Sequence, residues 1–464
     1  MDLKLRRNVL CVIVVLSIIL TASFGVFAAE EPVTIKWWTF GWWAGITGRE
    51  VSTPEHEYTG LDWPRYKAEQ FQEMYPNVNI EIELLDWGKG RQKLDIVSAA
   101  GKGGPDIITE DGPNILKYAK YGAIEPIEEF LTPEEMLDYY ETGLEAAYMD
   151  GKHWYFPWKF SPTNLAANRR LFDERGITNL LPSEGDRLWT YEEFVDAGKK
   201  VTHDINGDGI PDIWAYAESL KPVGLKYGIE PFMLGYGGSI FSEDGKTVVL
   251  DTPENERGLQ FLVDLQDVHG VMPPGSAGLD DDQLENLWNQ GNLAMRQGQA
   301  HTKYGMEAAI REGTLEEGVI DLYPIMYPSD LPEHNSKTFV VVHAIAVFKQ
   351  EDDYKKQMVG EFAKFLSTPD NITEASIAGY GFPSRKSSGE LYSDDEFMQY
   401  MQGTVKYGSP DFANPFYHTV SRQFITPMLQ AVFSGQKTVK KALEDATRDA
   451  NRYLEQQEQV FKKR

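Results

Sequence analysis

The stretch TIKWWTFGWW sets Trp37, Trp38, Trp42 and Trp43 around Phe40 within seven positions. Flat rings can fill a strand core, meet a partner, or stack on the apolar C–H face of a sugar. In the last case fixed carboxylates, amides or guanidinium groups must also hold the sugar's hydroxyls. Trp37 and Trp38 end the alternating run VTIKWW and are expected in the core. Trp42 and Trp43 follow Gly41 in a loop, where they either stack on a ligand or pack under the residues that follow. Further on, the apolar run IITED ends on Glu110 and Asp111. A carboxylate at Asp111 either contacts a ligand or caps the helix begun by GPNIL.

A second motif has metal-binding spacing. DINGDGIPD places Asp204, Asn206 and Asp208 at alternating positions, then Gly209 for a tight turn and Asp212 at the ninth place. Oxygen ligands so spaced wrap a hard cation such as calcium, with the Ile210 carbonyl as a further donor. The twelfth position is Ala215, so the bidentate glutamate of a full helix-loop-helix site is missing. A turn held by its own side chains is the alternative, and any calcium here is expected to be structural. Catalytic signatures are thin: the chain has no His-Glu-x-x-His helix, no Gly-x-Ser-x-Gly elbow and no phosphate-cradling Gly-x-x-x-x-Gly-Lys-Ser.

The elements that position these residues follow from periodicity. VTIKWW and VNIEIELL alternate on either side of the helical stretch WPRYKAEQFQEMYP, and a second helix leads into PDIITED. Strands joined by helices give an α/β domain whose ligands sit beyond the carboxyl ends of the strands, which directs attention to the loops after Trp38 and Thr109. From YEEFVDAGKKV onward the pattern is mainly helical, interrupted by the buried strand KTFVVVHAIAVF. A chain of 464 residues exceeds what one core supports, so two domains or more are expected. The net charge of −26 argues against nucleic acid and anionic membranes as partners. Residues 1–28 combine a basic start, an apolar run and small residues before Ala28, the order of a secretory signal peptide. The single cysteine, Cys11, lies inside that run, so the mature chain has no disulfide.

VTIKWWTFG, YPNVNIEIELLDWGKGRQKLDIVSAAGKGGPDIITEDGPNILKYAKYGAIEPI, WNQGNLAMRQG, GYGFPSRKSS and VFSGQKTVKKALEDA occur in this order and spacing. Together they resemble the extracellular solute-binding proteins of carbohydrate ABC importers, the group that includes maltose-binding protein. The resemblance implies a two-lobed periplasmic-binding-protein fold of type II, each lobe a mainly parallel sheet flanked by helices. It places one lobe at 29–159 and 303–369 and the other at 160–302 and 370–464. It also implies a monomeric, non-enzymatic receptor, periplasmic or extracellular, which captures a sugar or polyol in the interlobe cleft and delivers it to permease subunits. A secreted carbohydrate-active hydrolase or lyase is the rival reading. Trp42, Trp43 and Asp111 fall at positions that contact ligand in the family. Trp158 and Lys159 lie near the implied hinge, His301 falls where a cleft aromatic is common with Gln297 beside it, and Arg385, Tyr417 and Arg422 are second-lobe candidates. Residues 44–62 lengthen a loop bordering the cleft, a departure that puts a plain malto-oligosaccharide ligand in doubt.

Overall fold

The alternation of VTIKWW does build a strand, β1 (Val33–Phe40), with Ile35 and Trp37 fully buried on one face. The computed structural model describes residues 31–42, 59–87, 89–220, 229–331, 337–409 and 413–462. The signal-peptide segment 1–28, Trp43 and most of the inserted loop lie outside them. After β1 come β2 (Val78–Leu85), β3 (Ile107–Asp111), the short pair β4 (Tyr148–Met149) and β5 (Lys152–His153), β6 (Phe156–Pro162) and β7 (Asn164–Asn168). The remaining strands are β8 (Trp214–Tyr216), β9 (Leu293–Gly298), β10 (Leu322–Ile325), β11 (Val340–Val347) and β12 (Phe382–Pro383).

Two main sheets result, ordered β12-β6-β11-β3-β1-β2 and β10-β7-β9-β8. They are mixed, not mainly parallel as expected. β1 runs parallel to β2 and β3, but β11 is antiparallel to β3 and β6, and β12 is antiparallel to β6. In the second sheet only β8 and β9 run parallel. Strands joined by a helical crossover run parallel, whereas β11 enters the first sheet from the second lobe and runs the other way.

The first sheet is covered on both faces. Trp37, Trp63, Trp158 and Phe362 pack on one, and Trp38, Ile108, Leu116 and Tyr155 on the other. The second lobe's core gathers Phe194, Tyr216, Phe232, Leu262 and Leu429. Its helix Tyr191–Val201 starts from a capping box in which Thr190 and Glu193 satisfy each other's backbone N–H.

The chain crosses between the lobes three times, from β6 to β7, from β10 to β11, and between β12 and helix Tyr417–Val420. Two boundaries therefore move. Residues 303–325 belong with the second lobe, because β10 pairs with β7 and Met306 and Ile310 pack on that lobe's apolar residues. Helix Pro369–Ala378 and β12 belong with the first, since Ile372, Ala375 and Ala378 are buried against its sheet and β12 pairs with β6.

Candidate functional site

β1 and β3 are parallel neighbours, so their carboxyl ends open side by side at the edge of the first sheet. The β11 register then sets His343 opposite Asp111 on one side and opposite Lys159 on the other, with an irregularity after His343. Three residues far apart in sequence thus share one level of the sheet. Asp111 occupies the N-cap position of helix Gly112–Lys120 but makes no side-chain cap bond. Its carboxylate turns to Arg91, whose Nη2 lies 2.9 Å from Oδ2, and to His343, whose Nδ1 lies 3.1 Å from Oδ1. Burial alone would raise the Asp111 pKa, yet the His343 hydrogen bond and the Arg91 charge outweigh it and hold the carboxyl below its usual range. The neighbouring Glu110 is fully buried, and there desolvation wins over Arg91 and raises the pKa.

Arg91 is the second residue of helix Gly90–Ala100 and joins both acids, donating to Glu110 Oε1 from Nε and Nη2 at 3.2 and 3.1 Å. Its guanidinium also lies over the rings of Phe40 (5.2 Å) and Trp87 (5.4 Å). Trp42 completes the group, half-buried against Phe40 (5.8 Å), Trp87 (5.7 Å) and His343 (5.0 Å). Part of the aromatic surface at the end of β1 therefore packs around the chain's own Arg91 and His343.

Lys159 is buried, and its Nζ donates to the Gly379 carbonyl at 2.6 Å. Burial pulls its pKa down to about 7, against the opposing pull of Asp111. A Cβ at Gly379 would meet this Nζ at 2.3 Å and the Ala375 and Trp42 carbonyls at 3.1 and 3.2 Å, so a side chain there would push the Lys159 head group from its place.

The second lobe reaches the cluster through His418, whose Nδ1 accepts from Asn114 Nδ2 at 3.3 Å and whose Nε2 lies 3.9 Å from Asp111 Oδ2. His418 also borders a crevice of about 310 Å³ at the lobe junction, shared by Tyr155, Phe339 and Ser409. His301, in the first turn of helix Ala300–Arg311, is open to solvent yet recessed. Desolvation, with the charges of Arg296 and Lys159, lowers its pKa to about 4.

Other residues singled out from the sequence lie elsewhere. Trp158 is fully buried, with its ring 5.3 Å from Trp63 and Nε1 donating to the Leu366 carbonyl, so it serves the first lobe's core and does not face the cleft. Tyr417 is equally buried, packing on Phe339 and hydrogen-bonding Glu230 inside the second lobe. Arg385 belongs to the first lobe, not the second: it sits over the Tyr139 ring near Asp138, in a hollow shared with Phe71 and Lys364. Gln297 is half-buried on β9 opposite Leu165, and Arg422 is half-buried where its charge acts on His418.

In the loop 204–212, Asp204 accepts from the amides of Gly207 (2.6 Å) and Gly209 (2.7 Å), Asp208 from Ile210, and Asp212 from Ile205 and Asn206. Among the described residues no group of three His, Cys, Asp or Glu converges closely enough to hold a metal.

Sequence reasoning passed over Arg91 and His343. The signal for His343 was visible, a lone polar residue inside the apolar run VVVHAIAVF. Arg91 carried no comparable mark.

A family model described as bacterial extracellular solute-binding protein matches residues 54–373. The chain belongs to that family. It is a family of binding proteins, not of enzymes. A binding protein of Brucella abortus is 24% identical over 275 residues, covering 56% of this chain and 62% of the relative. The chain thus spans less than two thirds of that relative's length. The maltotriose-binding protein of Pyrococcus abyssi is 22% identical over 391 residues, covering 82% of this chain and 74% of that one. Among solved structures, a solute-binding protein of an ABC transporter from Thermotoga lettingae, bound with α-D-tagatose, superposes with a TM-score of 0.70 at 22% identity. That match covers 91% of this solute-binding protein and 99% of the other chain. A maltose-bound protein of T. maritima gives 0.67 at 20% identity, covering 91% and 100%. These likenesses establish the two-lobed fold.

Proposed function

We propose that this solute-binding protein captures a sugar or polyol between its lobes and delivers it to the permease of an ABC importer. The observation that carries the reading is the meeting of Asp111, Arg91, His343 and Trp42 of one lobe with His418 of the other. Such a site offers hydroxyl-binding groups and a ring face, and closure of the lobes completes it. Tagatose and maltose in the structural neighbours support the ligand class. The basic, apolar and small-residue order of 1–28 supports export to the periplasm or the extracellular space. The hydrolase reading lacks its machinery here. Glycoside hydrolysis needs two carboxyl groups on opposite sides of a bond, about 5 to 9.5 Å apart, whereas Glu110 and Asp111 are chain neighbours held by one guanidinium.

Calcium in the loop 204–212 belongs to the same proposal as a structural ion, supported by the Asp204, Asn206, Asp208, Ile210 and Asp212 spacing.

A thermal-shift screen of mono-, di- and oligosaccharides, inositol and polyols, followed by calorimetric titration and small-angle scattering, tests the receptor reading. A ligand at a hundred times its dissociation constant should add about 2.7 kcal/mol of stability and reduce the radius of gyration. A panel without any stabilising member, or turnover of a bound sugar, would sink it.

A further inference from the structure

One buried lysine at the lobe junction has no carboxylate within ion-pair distance among the described residues, in a chain that is acidic overall. Acidic residues outnumber basic ones by 71 to 45 overall. At the junction, Arg91, Lys159 and His343 of the first lobe meet His418 and His301 of the second, the three histidines held toward their neutral forms by burial, with Glu110 and Asp111 beside Arg91. Both acids are already engaged, Glu110 by Arg91 and Asp111 by Arg91 and His343.

Lys159 is left over. The residue is 1% exposed, the hydrogen-bond partner of its Nζ is the neutral Gly379 carbonyl, and among the described residues no carboxylate lies within ion-pair distance of it. A buried cation without a counterion is costly, so such a group is held toward its neutral form, and an arriving anion that supplies the opposite charge would be met by the protonated form. The field extends across the junction, since Lys159 of one lobe acts on His301 of the other and both are pushed toward their neutral forms.

Resting on the receptor reading above, we infer that the cleft takes a sugar acid, whose carboxylate supplies the counterion missing at Lys159 and faces the histidines gathered around it. The sugar ring remains available to Trp42, and its hydroxyls to Asp111.

Calorimetric titration of the purified protein with matched pairs, glucose against glucuronate and galactose against galacturonate, each also as a disaccharide, tests this. The acid member of at least one pair should bind about tenfold tighter or more, the scale of one charge-assisted hydrogen bond. Lys159→Met should bring the two members of that pair to within about threefold of each other. Neutral members binding as tightly as the acids, or an acid preference that survives in Lys159→Met, would overturn the inference and leave the receptor reading standing. Failure of every sugar, neutral or acid, would overturn both. The wild-type comparison decides the matter even if the variant does not fold.

Discussion

Asp111 Oδ2 is held by Arg91 and Oδ1 lies 3.1 Å from His343 Nδ1, so protein groups set the carboxylate's orientation. The rings nearby divide by what they touch. Trp37 is fully buried, with Phe362 at 5.4 Å and Trp63 at 6.4 Å, whereas Trp42 is half-buried beside His343. Trp37→Ala should cost roughly 3 to 5 kcal/mol in denaturant melts through the cavity it leaves. Trp42→Ala should weaken sugar binding by about ten- to thirtyfold, the worth of a stacking ring, and cost less stability than Trp37→Ala. Unchanged affinity in Trp42→Ala would make that ring a packing residue.

Lys159 gives a prediction of opposite sign to the usual lysine. Its folded pKa of about 7 lies below that of a free lysine, so between pH 7 and pH 10 the unfolded chain holds the extra proton. Stability from this residue therefore rises with pH across that window, by at most about 1.4 kcal/mol per pH unit, and the penalty is complete below pH 7. Subtracting the Lys159→Met melting profile from that of the wild type isolates the effect. A flat difference between pH 7 and 10 would mean that Lys159 keeps its charge when folded.

At the scale of elements, the loop 204–212 is held by carboxylates accepting its own amides, with Gly207 and Gly209 at positive φ where other residues would be strained. Calcium bound only by the folded state should stabilise it, so chelator is expected to lower the melting temperature and excess calcium to restore it. Superimposable curves under the two conditions would leave the loop as a self-bonded turn.

For the whole molecule, closure depends on contacts that need not touch the ligand. Tyr304, on the second lobe's helix Ala300–Arg311, stacks on Tyr380 of the first at 4.2 Å and 15°, and Lys303 beside it pairs with Asp395. Tyr380 holds a positive φ of 48°, a strained backbone at the seam between the lobes. A ligand that binds the closed form loses affinity when that form is disfavoured, so Tyr304→Ala should weaken sugar binding by about three- to tenfold. Scattering of the unliganded variant should shift toward a more open shape. Full affinity with unchanged scattering would show that the stack does not govern closure.

The sequence alone determined what depends on local order along the chain. Alternation in VTIKWW and VNIEIELL specified β1 and β2, and the buried Trp37 followed from it. The order of landmarks along the chain indicated the family, and Asp111 could be singled out because a carboxylate at a strand's end is visible in one dimension. Tertiary structure decided what depends on pairing. LYPI and FP are too short to reveal their sheet, so β10 and β12 could be assigned only by the neighbours they found. A one-residue change of register turns a strand's side chains to its other face. Register therefore sent Trp158 into the core, left Lys159 beside His343, and made that lone histidine the bridge between Lys159 and Asp111. Asp111 had two physical uses in the sequence, cap or ligand contact. Only the arrival of Arg91 from one helix and His343 from a strand more than two hundred residues away withdrew it from capping.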